Sequence, residues 1–199
     1  MNMLTMRTDE ELVALYAMGK DEAFDVLLER YKDRLFSYIL YHVRNTDVAE
    51  DIFQETFVKA IVTLQQGRYN SDGKFSAWLT RIAHNLVIDQ FRQERNENVI
   101  SNDDSEIDLF NNVAYSEGTI ESRMVNNQVL KDVRRLIDLL PDNQREVIYM
   151  RFYQSLSFKD IAAITGVSIN TALGRVRYAV LNLRRIAEER NISLALEVA

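Results

Sequence analysis

Residues Ser157 to Ala179 read SFKDIAAITGVSINTALGRVRYA, and their spacing predicts two helices joined by a tight turn. Ile161 and Ile164 fall on one core-facing side, Ala162 is small where two helices cross closely, and Gly166 sits where the turn needs a positive φ. Val167 is expected to re-enter the core and Ser168 to cap a second helix whose buried side is Ala172, Val176 and Ala179. Asn170, Thr171, Gly174, Arg175 and Arg177 then face outward, the arrangement of a helix-turn-helix whose second helix enters a major groove. Asn and Arg side chains make two-pronged contacts to base edges, whereas Thr171 and Arg175 suit phosphates. Arg184 and Arg185 extend the basic side. An ordinary helical hairpin is the competing reading, and the ordered set Ala162, Gly166, Val167 and Ala172 argues against it.

Outward from this motif, the composition narrows the fold class. The chain has 199 residues, one proline and six glycines, so few residues break helices and an all-α protein is expected. It has no cysteine, which removes disulfides and thiolate chemistry and fits a reducing compartment. Charge interrupts every apolar run, so no membrane insertion is expected and the cytoplasm is the expected location. The net charge of −6 argues against non-specific coating of nucleic acid. That average hides an asymmetry: residues 67–96 carry +2 and residues 151–190 carry +4, whereas residues 97–121 carry −7.

Periodicity divides the chain into two helical domains. Thr8 to Glu11 reads as a capping box opening a short helix that ends near Gly19. Asp21 is expected to cap a longer helix with Phe24, Leu27, Leu28, Tyr31, Leu35, Ile39 and Leu40 on one face. Asp47, with Glu50 three residues on, opens a third helix to about Gln66, with Gly67 just beyond its end. GRYNSDGK, Gly67 to Lys74, reads as a loop, and a fourth helix is expected from Ser76 to Glu94. Asn, Asp, Ser and Glu dominate from Asn96 to Glu117, so residues 97–118 read as an acidic linker between domains at 1–96 and 119–199. Helical pattern resumes near Thr119 and stops at Pro141; Asp142 is expected to cap the next helix, and Ser157 the one after it.

Within the third helix, the stretch Asp47 to Ala60 keeps Ile52, Phe53 and Phe57 on a buried side and Asp51, Gln54, Glu55 and Lys59 on polar faces. Periodicity alone makes it an ordinary amphipathic helix. Its string AEDIFQETFVKA resembles the second conserved region of bacterial sigma factors, and Phe75 to Asn85 with Asp89, Arg92 and Arg95 resembles the adjoining promoter-melting region. Leu140-Pro141, Gln144 to Glu146, Arg151-Phe152, Ser157, Ile161-Ala162 and Gly166 to Ser168 resemble sigma region four. The two sets stand in the right order, and a linker joins them directly, as in the extracytoplasmic-function group of the sigma-70 family.

The resemblance implies core RNA polymerase and promoter DNA as partners, admits an anti-sigma factor, and implies neither enzymatic activity nor a cofactor or metal. Asp51, Gln54, Glu55 and Lys59 would meet polymerase through a polar face that keeps the free protein soluble. The −10 element and its melting would fall to Tyr69, Lys74, Phe75, Trp78, Asn85, Arg92 and Arg95. Tyr69, Phe75 or Trp78 would offer a stacking surface to an unstacked base, although Phe75 and Trp78 also suit a core. Asn85, Arg92 and Arg95 would make polar and phosphate contacts. The −35 element would be read by Ser168, Asn170, Thr171, Leu173, Gly174, Arg175, Arg177 and Tyr178. Relatives often carry a basic residue where this chain has Leu173 and a small polar one where it has Gly174. Leu173 would then meet a thymine methyl, with Arg177 or Tyr178 taking over polar reading. Residues 97–118, at roughly 3.3 Å each, reach about 70 Å, enough for promoter elements roughly 50–70 Å apart.

Two rivals stand against this reading. A stand-alone helix-turn-helix regulator would bind a palindromic operator tightly as a dimer. An enzyme would need chemistry that is hard to find: no cysteine, two isolated histidines (His42 and His84, read as surface or helix-face residues) and no glycine-rich phosphate loop.

Overall fold

A computed structural model describes residues 3–70, 74–98, 133, 135–190 and 192. The described residues contain helices and no strand, and the chain divides into two compact units, Met1–Ile107 and Asp108–Ala199. From residue 99 onward the expected linker lies outside the described residues, as does most of the helical pattern expected from Thr119.

The first unit holds α1 (Asp9–Ala17), α2 (Asp21–Val43), α3 (Thr46–Gln65) and α4 (Phe75–Asn98), preceded by a 3₁₀ turn at Met3–Met6. Helix α2 packs against the other three. The expected capping box is present: Thr8 Oγ1 accepts from the Glu11 N–H while Glu11 accepts from the Thr8 N–H. That backbone donor, with Arg7 beside it, holds the Glu11 carboxyl below its usual range. Two expected caps are corrected. Lys20 precedes α2 without a side-chain bond, so Asp21 is its first residue. Asn45, rather than Asp47, caps α3 by accepting from the N–H groups of Asp47 and Val48. Asp21 and Asp47 still lie in first turns, where carboxylates favour the helix dipole.

The core of this unit is aliphatic at Leu12, Leu27, Leu35, Ile39, Leu79 and Val87. An aromatic chain runs through it, Tyr16 to Phe24 to Phe57 to Phe53 to Phe36, in tilted and edge-on contacts with centroids 5.0–6.1 Å apart. Tyr38 is fully buried, and its hydroxyl meets His84 Nδ1 at 3.0 Å, tying α2 to α4. His84 therefore belongs to the packing rather than to an open surface. At the amino end Arg30 pairs with Asp9 and donates to the carbonyls of Thr5 and Arg7. The Tyr31 hydroxyl donates to the same Asp9 carboxylate.

The second unit has helical backbone at 135–138, then α5 (Asp142–Ile148), continued by one π turn at Tyr149–Tyr153, then α6 (Phe158–Thr165) and α7 (Ile169–Glu189). Pro141, not Asp142, occupies the cap position of α5. It suits a helix start because its fixed φ costs nothing there and a first-turn N–H has no partner to lose. Helix α7 packs on α5 and α6. Gln144 accepts from Asn182 at 2.8 Å across the α5–α7 contact. Arg145, 6% exposed, pairs with Asp142 and donates to the Asp138 carbonyl. Burial pushes its guanidinium down from its usual value. After the π turn, Arg151 donates to the Leu156 carbonyl at 2.8 Å and lies over the Phe158 ring, fixing how the chain enters α6.

Two stability tests follow from these contacts. Gly166 ends α6 at φ +68, and a β-carbon there would meet nothing within 4 Å. Gly166→Ala therefore lowers stability through the backbone alone, by about 1–2 kcal/mol, measured by urea or thermal unfolding. For Tyr31, burial and then the Asp9 hydrogen bond push its phenol above the usual value. In the unfolded chain tyrosine ionises near pH 10 while folded Tyr31 stays protonated, so its contribution is present below that pH and fades above it. Tyr31→Phe makes the alkaline loss of stability shallower in unfolding titrations from pH 8 to 11.

Candidate nucleic-acid interface

In the second unit the turn and reading helix form as expected. Ser157 accepts from the Asp160 N–H and Ser168 from the Thr171 N–H, so each of the two helices begins on a serine cap. Ile161, Ala162, Ile164, Ala172, Val176 and Ala179 are buried, and Val167 is half-buried rather than fully in the core. Opposite this stripe, Asn170, Thr171, Leu173, Arg177 and Tyr178 are exposed, as is Ser168 at the amino end, while Gly174 and Arg175 are half-buried. Helical spacing places Asn170, Gly174, Arg177 and Leu181 on one outward strip, with Arg184 and Arg185 at its far end. Arg175 lies on the flank between that strip and the buried side. Ile169, exposed one turn before Leu173, and Leu181 are two outward apolar residues that periodicity had not singled out.

The first unit presents two surfaces. On α3, Asp51, Gln54, Glu55 and Lys59 are all exposed, and Lys59 pairs with Glu55 at 2.9 Å. An exposed pair of this kind adds little stability and leaves both charges available. Val58 and Val62 are also open on this helix. Their exposure leads into a groove of about 530 Å³ between α3 and α4, lined by Val58, Lys59, Val62, Arg68, Trp78 and Asn85 among others.

The groove brings together residues that the sequence separates. Trp78 lines it half-buried, its ring 4.5 Å from Tyr69 and 5.5 Å from Phe75 between centroids. Phe75 itself is 1% exposed and also touches Tyr31. It is thus corrected from a candidate stacking surface to the buried support of Trp78, because its ring packs among those of Tyr31, Tyr69 and Trp78. Asn85 is exposed on the rim, and Arg92 and Arg95 continue outward along α4, Arg92 pairing with Asp89 at 3.1 Å. Lys74 is exposed just before α4. Arg68, on the groove wall, and Arg81, exposed one turn after Trp78, are basic residues the sequence had not marked. The spacing Trp78, Arg81, Asn85 was a signal for Arg81; for Arg68, in a loop, there was none.

Comparison with known proteins places both units in one family. Residues 27–97 match the Sigma-70 region 2 family and residues 130–176 the Sigma-70, region 4 family. The ECF RNA polymerase sigma-E factor of Escherichia coli K12 is 31% identical over 175 residues, covering 85% of this chain and 88% of that protein. The ECF RNA polymerase sigma factor SigW of Bacillus subtilis is 28% identical, covering 84% of this chain and 90% of SigW. Among solved structures, the sigma factor RpoE of Bartonella quintana, determined with the anti-sigma factor NepR, superimposes with a TM-score of 0.66 at 26% identity. That match covers 83% of this chain and 96% of the RpoE chain. With both sigma regions present in order and a helix-turn-helix joined to a groove-bearing helical bundle, the chain belongs to the extracytoplasmic-function (ECF) group of the sigma-70 family of RNA polymerase sigma factors.

Proposed function

We propose that this sigma factor docks on core RNA polymerase through Asp51, Gln54, Glu55 and Lys59 of α3, melts and reads the −10 element at the α3–α4 groove, and reads the −35 element with α7. The observation that carries the reading is the groove: a half-buried tryptophan and an exposed asparagine of α4 facing Lys59 of α3 and Arg68 of the loop, in one chain with a separate helix-turn-helix. An unstacked base gains a stacking partner in Trp78, and every base has a π face to offer. Asn85 carries both a donor and an acceptor for a base edge. Lys59, Arg68, Arg81, Arg92 and Arg95 supply charge for the backbone on either side. Tyr69 and Phe75 hold the Trp78 ring, and Lys74 stands at the mouth of the helix. Because Lys59 belongs both to the docking face and to the groove wall, polymerase binding and base capture meet at one side chain.

In the second unit Ser168 and Thr171 stand at the amino end of α7, where backbone N–H groups favour a phosphate, and Arg175 grips the groove edge. Asn170, Arg177 and Tyr178 face the bases. The protein acts in the cytoplasm as an initiation factor without chemistry of its own; none of its described helices is long and apolar enough to cross a membrane. An anti-sigma protein is a fitting third partner, since the RpoE relative was determined with one and Val58 and Val62 leave apolar surface beside the polar docking residues. The domain division follows the same roles, with 1–96 for docking and −10 melting, 97–118 as tether and 119–199 for −35 recognition.

In vitro transcription with core polymerase and a promoter library tests the whole reading: added protein gives new start sites, and the free chain footprints no palindrome. A dimer footprint without new starts would establish the stand-alone regulator instead. Site assignments separate by variant. Trp78→Ala lowers open-complex formation, read by permanganate reactivity, by roughly five-fold to a hundred-fold, because stacking is worth about 1–3 kcal/mol, while the closed-complex footprint persists. Arg177→Ala relaxes −35 preference, whereas Arg92→Ala weakens binding at all promoters and lowers its salt dependence by about one counterion.

A further inference from the structure

Gly174 stands in the interior of α7, where glycine is less favourable than alanine. A β-carbon added there would meet nothing within 4 Å. Its backbone is helical, so neither a special φ nor internal packing asks for a glycine. What its missing side chain leaves is a notch in the outward strip, bordered by Asn170 one turn before and by Arg177 and Tyr178 one turn after.

Beside the notch stands Leu173, 49% exposed, with Ile169, 51% exposed, one turn before it. Both are clear of the stripe of Ala172, Val176 and Ala179 that holds α7 to its own unit. Two open aliphatic side chains on the leading half of a reading helix have no polar work to do there. In the major groove the apolar feature that a base pair offers is the C5-methyl of thymine.

We propose that Leu173 and Gly174 form a thymine-reading site: Leu173, backed by Ile169, packs on a thymine methyl of the −35 element, and the notch at Gly174 lets the helix backbone come close to the base edges. The site rests on the assignment of α7 to the −35 element. It makes target choice depend on a methyl group where a basic side chain would read acceptors.

Two templates test it, both carrying a promoter obtained from the library and differing only in deoxyuridine for thymidine throughout the −35 element. Uridine keeps the pairing edge and removes the methyl. The wild-type protein with core polymerase initiates less on the uridine template, by about four-fold for each methyl that Leu173 covers. Leu173→Ala brings the thymidine template down to that level and is indifferent to uridine. Gly174→Ala raises the melting temperature of the protein and lowers initiation, a pair of effects that a purely structural glycine would not give. Equal wild-type initiation on both templates, a Leu173→Ala variant still sensitive to uridine, or a −35 consensus without thymine on either strand would overturn the site while leaving the −35 assignment in place. An adjoining protein surface as the true occupant of Leu173 shows as a loss in Leu173→Ala that is equal on both templates, with the wild type indifferent to uridine, and overturns the site too. Failure of the library to yield any promoter would remove the sigma-factor assignment and this site with it.

Discussion

Ala172, Val176 and Ala179 hold α7 against α5 and α6 along one narrow stripe, and the reading surface depends on that grip. A helix that must enter a DNA groove cannot be covered on both sides, so its attachment has to come from one face alone. Small and β-branched residues allow close packing of backbones over a short width, and the Gln144–Asn182 hydrogen bond fixes the helix farther along. Upstream, the Gly166 turn and the Ser168 cap set the angle and the starting point of α7 by local chemistry. The result is a helix anchored on one side and open on the other.

The first unit solves the same problem with larger residues. Helix α4 buries Phe75, Leu79, Ala83 and Val87, leaves Arg81, Asn85 and Arg92 outward, and keeps Trp78 half-buried on the groove wall. Phe75 has a double part: it fills the core against Tyr31 and presses on Trp78 from behind. A stacking platform needs such support, because a tryptophan free to rotate would lose rotamer entropy each time a base bound. The Tyr38–His84 hydrogen bond ties the middle of α4 to α2 at the depth of the core. It holds Trp78 and Asn85, which lie on either side of His84 along the helix, in one frame.

Features fixed by local chemistry were legible in the sequence. The Thr8 box, the Ser157 and Ser168 caps and the Gly166 turn each depend on residues within a few positions of one another, and the structure has them where the sequence puts them. Asn45 and Lys20 were missed because an aspartate just inside a helix and one at its cap give nearly the same pattern. Phe75 was ambiguous for a different reason. Its burial depends on Tyr31, forty-four residues away in sequence and adjacent in space, and no window along the chain contains both. The groove was invisible for the same cause, since α3 supplies Lys59 and Val62 while α4 supplies Trp78 and Asn85. The π turn at Tyr149–Tyr153 has no sequence signature, and it sets the path into α6 through Arg151.

The charge distribution gives these surfaces a common logic. A chain of net −6 is repelled by the phosphate backbone at long range, so its basic residues act only when something else brings them close. Each phosphate neutralised releases about one counterion, and the net charge of −6 opposes the gain that the arginines of α4 and α7 offer. In the proposed assignment, reading helix and groove contribute discrimination, and polymerase supplies the holding strength. An aliphatic contact at Leu173 belongs to that division: it adds selectivity without adding the sequence-blind attraction that another lysine or arginine would bring.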